Sequence, residues 1–256
     1  MLGTYEARYY AKRGTYSRID KVIAPSIFLK DKLETNTQFS GRIVMMHNFI
    51  PQNDIANGGS NSSINGRITD SASCEEDSKL NLPTKYVLYS GRFAEEKGIK
   101  TLLEVCRQLP NIQFVFAGNG PLRDEVDQVK NIICTGFLDW ETMQQVIKNA
   151  EFAVFPSEWY ENCPFTVMEA QLNHTPLIAS DMGGTSELLE DGVSGILFHA
   201  GDAAELKNKI ETWNNEPELL TRFRNGCNKL SFDTVIEYYN KYMQLITDID
   251  MNCVNE

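Results

Sequence analysis

The chain lacks the features that mark a membrane span, a zinc module or a disulfide scaffold. No apolar run in its 256 residues approaches the roughly 20 residues that a membrane-crossing helix needs. Membrane contact is therefore limited to the periphery. The six cysteines (74, 106, 134, 163, 227 and 253) lie no closer than 26 positions apart. That spacing offers neither paired zinc ligands nor a disulfide framework, and it favours a reducing cytosol. The three histidines, His47, His174 and His199, are too scattered to suggest a metal cluster or a catalytic triad. His174 and His199 are expected in loops near helix or strand ends. Cations are scarce as well: 24 Lys and Arg against 35 Asp and Glu give a net charge of −11. With no basic stripe interleaved with aromatics, nucleic acid is disfavoured as a partner.

What is present clusters around two carboxylates. Glu161 and Glu169 stand eight positions apart, between the apolar run Phe152–Phe155 and the apolar helical pattern Phe165–Leu172. The first run reads as a buried strand and the second as the helix after it. Glu161 then falls in the loop at the strand's carboxyl end, where open parallel sheets bind ligands, and Glu169 lies about a turn inside the helix. Ionised carboxylates accept several hydrogen bonds and donate none, which suits a ligand rich in hydroxyl groups. Two solvated surface acids are the plain alternative.

A second group stands upstream in Ser90-Gly91-Arg92-Phe93-Ala94-Glu95-Glu96-Lys97-Gly98, after the strand-like Tyr86–Tyr89 and before a helix near Ile99. Gly91 and Gly98 permit tight turns, while Arg92 and Lys97 bring two cations to one strand end. Such cations match a pyrophosphate, the arginine as a fork and the lysine as a point charge. A third group, Asp181 to Leu188, contains Gly183-Gly184 after the strand-like Leu177–Ser180. Two glycines leading into a helix over Thr185–Glu190 predict open backbone N–H groups and an anion site.

In order and spacing, Gly91-Arg92, Lys97-Gly98, Gly118-Asn119-Gly120-Pro121, the two glutamates and Gly183-Gly184 with Glu187 resemble a known family. It is the large family four of nucleotide-sugar-dependent retaining glycosyltransferases, specifically the donor-binding half of their GT-B fold. The similarity runs from about Lys85 to Ala200 and includes Glu187-Leu188-Leu189-Glu190-Asp191-Gly192. The resemblance implies that Arg92 and Lys97 hold the donor diphosphate, Glu161 contacts the transferred sugar, and Glu169 meets the ribose hydroxyls. By the same resemblance, Gly91, Gly118, Gly120 and Phe165 belong to the donor-binding set, and the Gly183-Gly184 backbone lies near the phosphates. It implies a UDP- or GDP-sugar donor, no separate cofactor and no metal. The implied acceptor is a glycan, a lipid-linked glycan or a small molecule. After the first glutamate, Asn162-Cys163-Pro164 replaces the family's frequent Gly-aromatic-Gly, and Pro164 has no N–H to offer.

The fold class expected is α/β: a Rossmann-like, mainly parallel sheet with helices on both faces. Strands are predicted at 86–89, 112–117, 132–135, 152–155, 177–179 and 196–198. Helices are predicted near 99–109, 140–148, 165–172 and 185–190, followed by two or three after Asp202. Residues 83–230 form the nucleotide-sugar domain in this reading. Residues 1–52 resemble the end of an N-terminal acceptor domain in strand–helix–strand form. Residues 53–82, poor in large apolar side chains, read as a flexible linker. Residues 231–256 read as a helix crossing back toward the first domain, plus a tail. Its aromatic face, with Tyr238, Tyr239 and Tyr242, is expected to be left exposed.

Most of the acceptor domain is missing in this reading. The function expected is therefore metal-independent, retaining sugar transfer in glycan or surface polysaccharide synthesis, in the cytoplasm or at the inner face of a membrane. The alternative is a non-catalytic nucleotide-binding half whose acceptor domain comes from a separate chain. A dinucleotide oxidoreductase reading of Gly118-x-Gly120 fails on the third glycine, where Arg123 stands. The opening Arg8, Lys12, Arg13, Arg18 and Lys21, beside Tyr5, Tyr9 and Tyr10, read as a solvated helix face, with anionic lipid as the other candidate partner. Asn61-Ser62-Ser63 spells a glycosylation acceptor that is expected to be idle. A nucleophilic Cys163 would need a depressed thiol pKa and a nearby base. Asp248-Ile249-Asp250 spells an acid-x-acid metal pattern but is expected in a fraying tail.

Overall fold

The structure, a computed structural model, describes residues 2–35, 39–50, 80–228 and 230–254. The predicted linker lies almost wholly outside the described residues, as do the Asn61 acceptor motif and Cys74. The opening segment is helix α1 (Leu2–Lys12), with Tyr9 and Tyr10 exposed. Strand β1 (Val22–Ala24), helix α2 (Ile27–Glu34) and strand β2 (Ile43–Met45) follow, and the two strands pair in parallel. Helix α2 begins where it does because the Ser26 hydroxyl accepts the Leu29 N–H at 3.1 Å, as an N-cap should.

From residue 87 onward strands and helices alternate. They are β3 (Val87–Ser90), α3 (Ile99–Gln108), β4 (Phe114–Ala117), α4 (Arg123–Asp127), β5 (Ile132–Gly136) and α5 (Trp140–Asn149). Next come β6 (Phe152–Phe155), α6 (Phe165–Leu172), β7 (Leu177–Ser180) and β8 (Gly195–Phe198), then the helices α7 (Ala203–Asn215), α8 (Pro217–Cys227) and α9 (Val235–Val254). Caps legible in the sequence set several starts. Asp139 accepts the Thr142 N–H, Asp202 accepts the Glu205 N–H, and Pro217 occupies the first turn of α8.

Six parallel strands form one sheet in the order β5-β4-β3-β6-β7-β8. Strand side chains alternate between its two faces. Val87, Tyr89, Phe114, Phe116, Phe152, Val154 and Ile178 pack with α3, α7 and α8 on one side. Leu88, Val115, Ala117, Ala153, Phe155, Leu177 and Ala179 pack with α5 and α6 on the other. Burial on both faces explains why these strands are continuous apolar runs. The chain order reverses between β3 and β6. Beyond their carboxyl ends lies the crevice that doubly wound sheets use for ligands.

Three expectations need correction. The helix predicted at 185–190 is a single 3-10 turn, Thr185–Glu187. The chain leaves it because the Glu190 carbonyl accepts the Val193 and Ser194 N–H groups, and the Ser194 hydroxyl accepts the Glu190 N–H at 2.9 Å. Asp248 and Asp250 lie within α9 rather than in a frayed tail. Helix α4 is also new; Arg123 there pairs with Asp127 one turn on, at 2.8 Å. Helix α9 meets the N-terminal segment where Tyr238 packs on Phe49, with ring centroids 4.9 Å apart. Tyr239 and Tyr242 on the same helix remain exposed.

Buried Asn131 stitches the end of the sheet opposite the crevice. Its side-chain amide donates to the carbonyls of Cys106, Leu109 and Ile112 at 2.9–3.0 Å, which tie the end of α3 to the start of β4. Asn131→Ala should strip all three carbonyls of their side-chain donor, leaving Cys106 and Leu109 only the backbone N–H groups of Leu109 and Ile112, and lower unfolding free energy by about 1–3 kcal/mol in urea titrations. An unchanged midpoint would show that they find other partners.

Candidate functional site

The loops after three neighbouring strands meet at the crevice. Ser90, Gly91 and Arg92 follow β3, Gly118, Asn119 and Gly120 follow β4, and Phe137 and Leu138 follow β5. With Met143 of α5 and Thr166 and Glu169 of α6, they line a cavity of about 750 Å³. The first two loops are stitched backbone to backbone. The Gly91 N–H donates to Ala117 C=O at 3.0 Å, and the Phe93 N–H donates to Asn119 C=O at 2.9 Å. Gly118, at φ +137°, has to be glycine: a Cβ there would stand 2.1 Å from the Gly91 carbonyl oxygen. The glycine-rich loop follows β4, the second strand of the sheet by chain order. A dinucleotide fingerprint occupies the first strand–helix turn, so its position argues against the oxidoreductase reading.

Glu169 reaches the cavity from the second turn of α6, and its carboxyl has no hydrogen-bond or ion-pair partner among the described residues. Burial pushes its pKa up to about 7. The group is thus poised to ionise near neutrality. Arg92 borders the same cavity with its guanidinium largely exposed, and it pairs with Glu96 one turn along the chain. Its carbonyl accepts the Tyr89 hydroxyl at 2.9 Å. The Tyr89 hydroxyl is pushed far above its ordinary range, first by burial and then by the Glu161 and Glu96 carboxylates, with Arg92 opposing. One buried phenol thus senses all three charges.

Lys97 and Glu161 do not line that cavity. They form an ion pair with each other, across the loops after β3 and β6, with the Glu161 side chain only 15% exposed. The Ser157 hydroxyl also donates to the Glu161 carboxylate, at 2.9 Å. Glu161 therefore enters the site held by two donors. Phe165, the first residue of α6, is half exposed; its neighbour Thr166 is the one that lines the cavity.

The Gly183-Gly184 turn lies beneath the Glu161 loop. The Gly184 N–H donates to the Glu161 carbonyl at 2.6 Å and so is not an open anion donor. A Cβ on Gly184 would stand 2.0 Å from the Asn162 carbonyl oxygen, and one on Gly183 would stand 2.3 Å from that of Glu161. Cys163 is buried, and desolvation first, with Glu187 adding to it, pushes its thiol up, away from nucleophilic chemistry.

Phe137, Leu138, Met143 and Thr166 also line the cavity and escaped the sequence reading as site residues. Phe137 carried the signal, since it follows Gly136 at the end of β5 just as Arg92 follows Gly91 after β3. Its ring is 85% exposed, an unusual position for phenylalanine at a strand end. Among the described residues no three His, Cys, Asp or Glu side chains group as a metal site. No described helix is long and apolar enough to cross a membrane.

Comparison with known proteins agrees with this architecture. The chain is 33% identical over 147 residues to alpha-D-kanosaminyltransferase of Streptomyces kanamyceticus, covering 53% of this chain and 38% of that protein. It is 24% identical over 253 residues to an uncharacterized glycosyltransferase of Methanocaldococcus jannaschii, covering 95% and 64%. The chain thus spans less than two thirds of the length of either relative. Among solved structures, it superimposes on Anabaena HepE in complex with UDP-glucose at a TM-score of 0.73, with 18% identity over 91% of this chain and 65% of that one. Sucrose-phosphate synthase of Thermosynechococcus elongatus gives 0.72, with 22% identity over 96% and 62%. These likenesses establish a GT-B glycosyltransferase fold. Residues 72–229 match the family model for glycosyl transferases group 1, and the chain belongs to that family.

Proposed function

We propose that the crevice binds a nucleotide-diphosphate sugar, UDP- or GDP-linked, and that the complete site transfers its sugar to an acceptor hydroxyl with retention of configuration and without a metal. The observation that carries this reading is one cavity lined by both Arg92 and the unpartnered Glu169. In the proposal the nucleoside lies in the cavity, where Glu169 accepts from the ribose hydroxyls. The diphosphate extends toward Arg92 and Lys97, and the sugar meets Glu161. Gly91, Gly118 and Gly120 give the backbone its close approach. Phe165 and the Gly183-Gly184 turn support the site from α6 and from beneath the acid loop. The UDP-glucose complex named for HepE supports this donor class.

Departure of the nucleotide diphosphate builds negative charge on its phosphate oxygens. Two fixed cations stabilise that charge, the part a metal plays in other transferases. Lys97 currently neutralises Glu161, and Arg92 neutralises Glu96. Diphosphate drawing both cations away would release the Glu161 carboxylate to accept sugar hydroxyls. Ser157 still orients it. The acceptor is proposed to be a glycan, a lipid-linked glycan or a small molecule, reached in the cytoplasm or at a membrane's inner face.

A second reading rests on the N-terminal segment, whose sheet holds β1 and β2 alone among the described residues. A two-stranded parallel sheet is marginal alone. Here the donor half binds nucleotide and a separate chain supplies the acceptor half. Transfer assayed with this chain alone, then in mixtures with candidate partner chains, separates the two readings.

Arg92→Ala and Lys97→Ala should each weaken nucleotide diphosphate binding by about 1.5–3 kcal/mol in titration calorimetry, with circular dichroism unchanged. Equal affinity in variant and wild type would remove these residues from the diphosphate site. Glu169 yields opposite pH trends for stability and for binding. Its folded pKa, about 7, lies above the unfolded value of 4.5. Its contribution to stability is therefore full below pH 4.5 and lost as pH rises through 7, on the order of 3 kcal/mol in all. Glu169→Gln should stay flat and become the more stable protein at pH 8. UDP or GDP affinity of the wild type should instead rise through pH 7, because only the carboxylate accepts from both hydroxyls. Parallel trends for the two proteins would mean that Glu169 titrates elsewhere.

A further inference from the structure

Glu187 sits outside the donor cavity, yet its surroundings are unusual for a loop acid. One carboxylate oxygen accepts the Ile27 N–H and the other the Phe28 N–H, both at 2.7 Å. These are the first two amides of α2, and the Ser26 hydroxyl takes the third. Two of the free N–H groups at this helix N-terminus are thus satisfied by a side chain 160 positions away in sequence. A carboxylate there also gains from the helix dipole. His47 Nε2 approaches the same carboxylate at 3.3 Å.

The two segments joined in this way grip the Glu161 loop from both sides. The Gly184 N–H holds the Glu161 carbonyl at 2.6 Å, and Gly184 lacks a Cβ that would come within 2.8 Å of the Ser26 Cβ. From the N-terminal side, the Asn48 side chain donates to the Cys163 carbonyl at 3.0 Å, and the Asn48 N–H points to the Cys163 sulfur at 3.4 Å. Phe28 stacks on Tyr160 with ring centroids 5.2 Å apart and planes 25° apart. Beyond their own segment, these contacts from residues 26–28 and 47–48 fall on 160–163 and 184–187, in and around the Glu161 loop.

We propose that Glu187 is a positioning residue. It locks the N-terminal β1–α2–β2 segment onto the Gly183–Glu187 turn, so that the two together set the place of the Glu161 loop. The lock itself stands on geometry alone. Only its consequence, a correctly placed sugar, rests on the donor reading of Glu161. Glutamate suits the role because a single carboxylate can accept from two adjacent amides at once. Glutamine keeps the shape but has one acceptor oxygen, and its amino group faces an N–H. Loss of the lock leaves the cavity lined by Arg92 and Glu169 untouched, so nucleotide and sugar should respond differently.

The test compares wild type, Glu187→Ala and Glu187→Gln in two measurements. Amide hydrogen exchange is followed at Ile27, Phe28, Asn48 and Gly184. Exchange at all four should speed up in Glu187→Ala and to a smaller degree in Glu187→Gln. Affinity is measured for UDP against UDP-glucose and for GDP against GDP-mannose. Whichever pair binds, the nucleotide diphosphate should hold its affinity while the sugar form loses about tenfold, as expected for the loss of about one hydrogen bond to the sugar. Exchange unchanged at Ile27 and Phe28 would overturn the lock. Faster exchange there, with Asn48 and Gly184 unaffected and the sugar form still tightly bound, would reduce Glu187 to a helix cap and overturn its positioning role. If Glu187→Ala fails to fold, Glu187→Gln alone carries both measurements. Failure of the wild type to bind any nucleotide would sink the donor reading, and the exchange data would still decide the lock.

Discussion

The 2.6 Å hydrogen bond from the Gly184 N–H to the Glu161 carbonyl fixes where the acidic loop can lie. It forms only because both residues of the turn lack a Cβ, which would overlap the carbonyl oxygens of Glu161 and Asn162. With the backbone so placed, the Glu161 side chain meets Lys97 and Ser157 rather than solvent. That link carries the loop after β7 into the loop after β6, and from there to the cation after β3. Three neighbouring strand ends are thus coupled through one peptide group. A sheet buried on both faces makes the coupling rigid, since the strands cannot shift without opening a close-packed core.

The doubly wound order explains why these loops meet at all. Strands β3 and β6 are adjacent in space, but their helices depart to opposite sides, which opens the crevice between their ends. Where the β3 and β4 loops touch, Gly91 and Gly118 meet backbone to backbone and leave room for a ligand. In the proposed function an acidic protein of net charge −11 still holds an anion there, because Arg92 and Lys97 both lie in the segment after β3. Local charge over a few ångströms outweighs net charge, which screening weakens at distance.

The sheet was legible in the sequence because its signal is redundant. Runs such as Phe114-Val115-Phe116-Ala117 are apolar at every position, which burial on both faces requires, and their observed starts moved by at most two residues. The Thr185–Glu190 helix was misread because Leu188 and Leu189 supply apolar periodicity, while the turn is decided by the Ser194 hydroxyl, a tertiary partner. The site was legible as a set of residues but not as a geometry. Spacing placed Glu161 and Glu169 at one strand end, yet only the fold separates their settings, one paired with Lys97 and the other alone in the cavity. Met143 was invisible for a different reason. It comes from α5, where apolar residues look like core until the fold turns them toward the crevice.

The two acids so separated do different chemical work. A carboxylate already paired with lysine is ionised and oriented, but its capacity is occupied until a stronger anion claims the cation. A carboxyl held near pKa 7 by burial costs little to keep neutral and becomes a full acceptor once hydroxyl groups replace lost water. In the proposed function, the first gates the sugar end through the diphosphate, and the second rewards a nucleoside that fills the cavity. On that proposal each acid becomes available only as the neighbouring part of the ligand arrives, which favours the intact donor over free sugar or free nucleoside. The N-terminal segment meets the Glu161 loop through the Glu187 turn and Asn48, away from the residues that line the cavity. A change in that segment would therefore act on the Glu161 loop before it reached the cavity lined by Arg92 and Glu169.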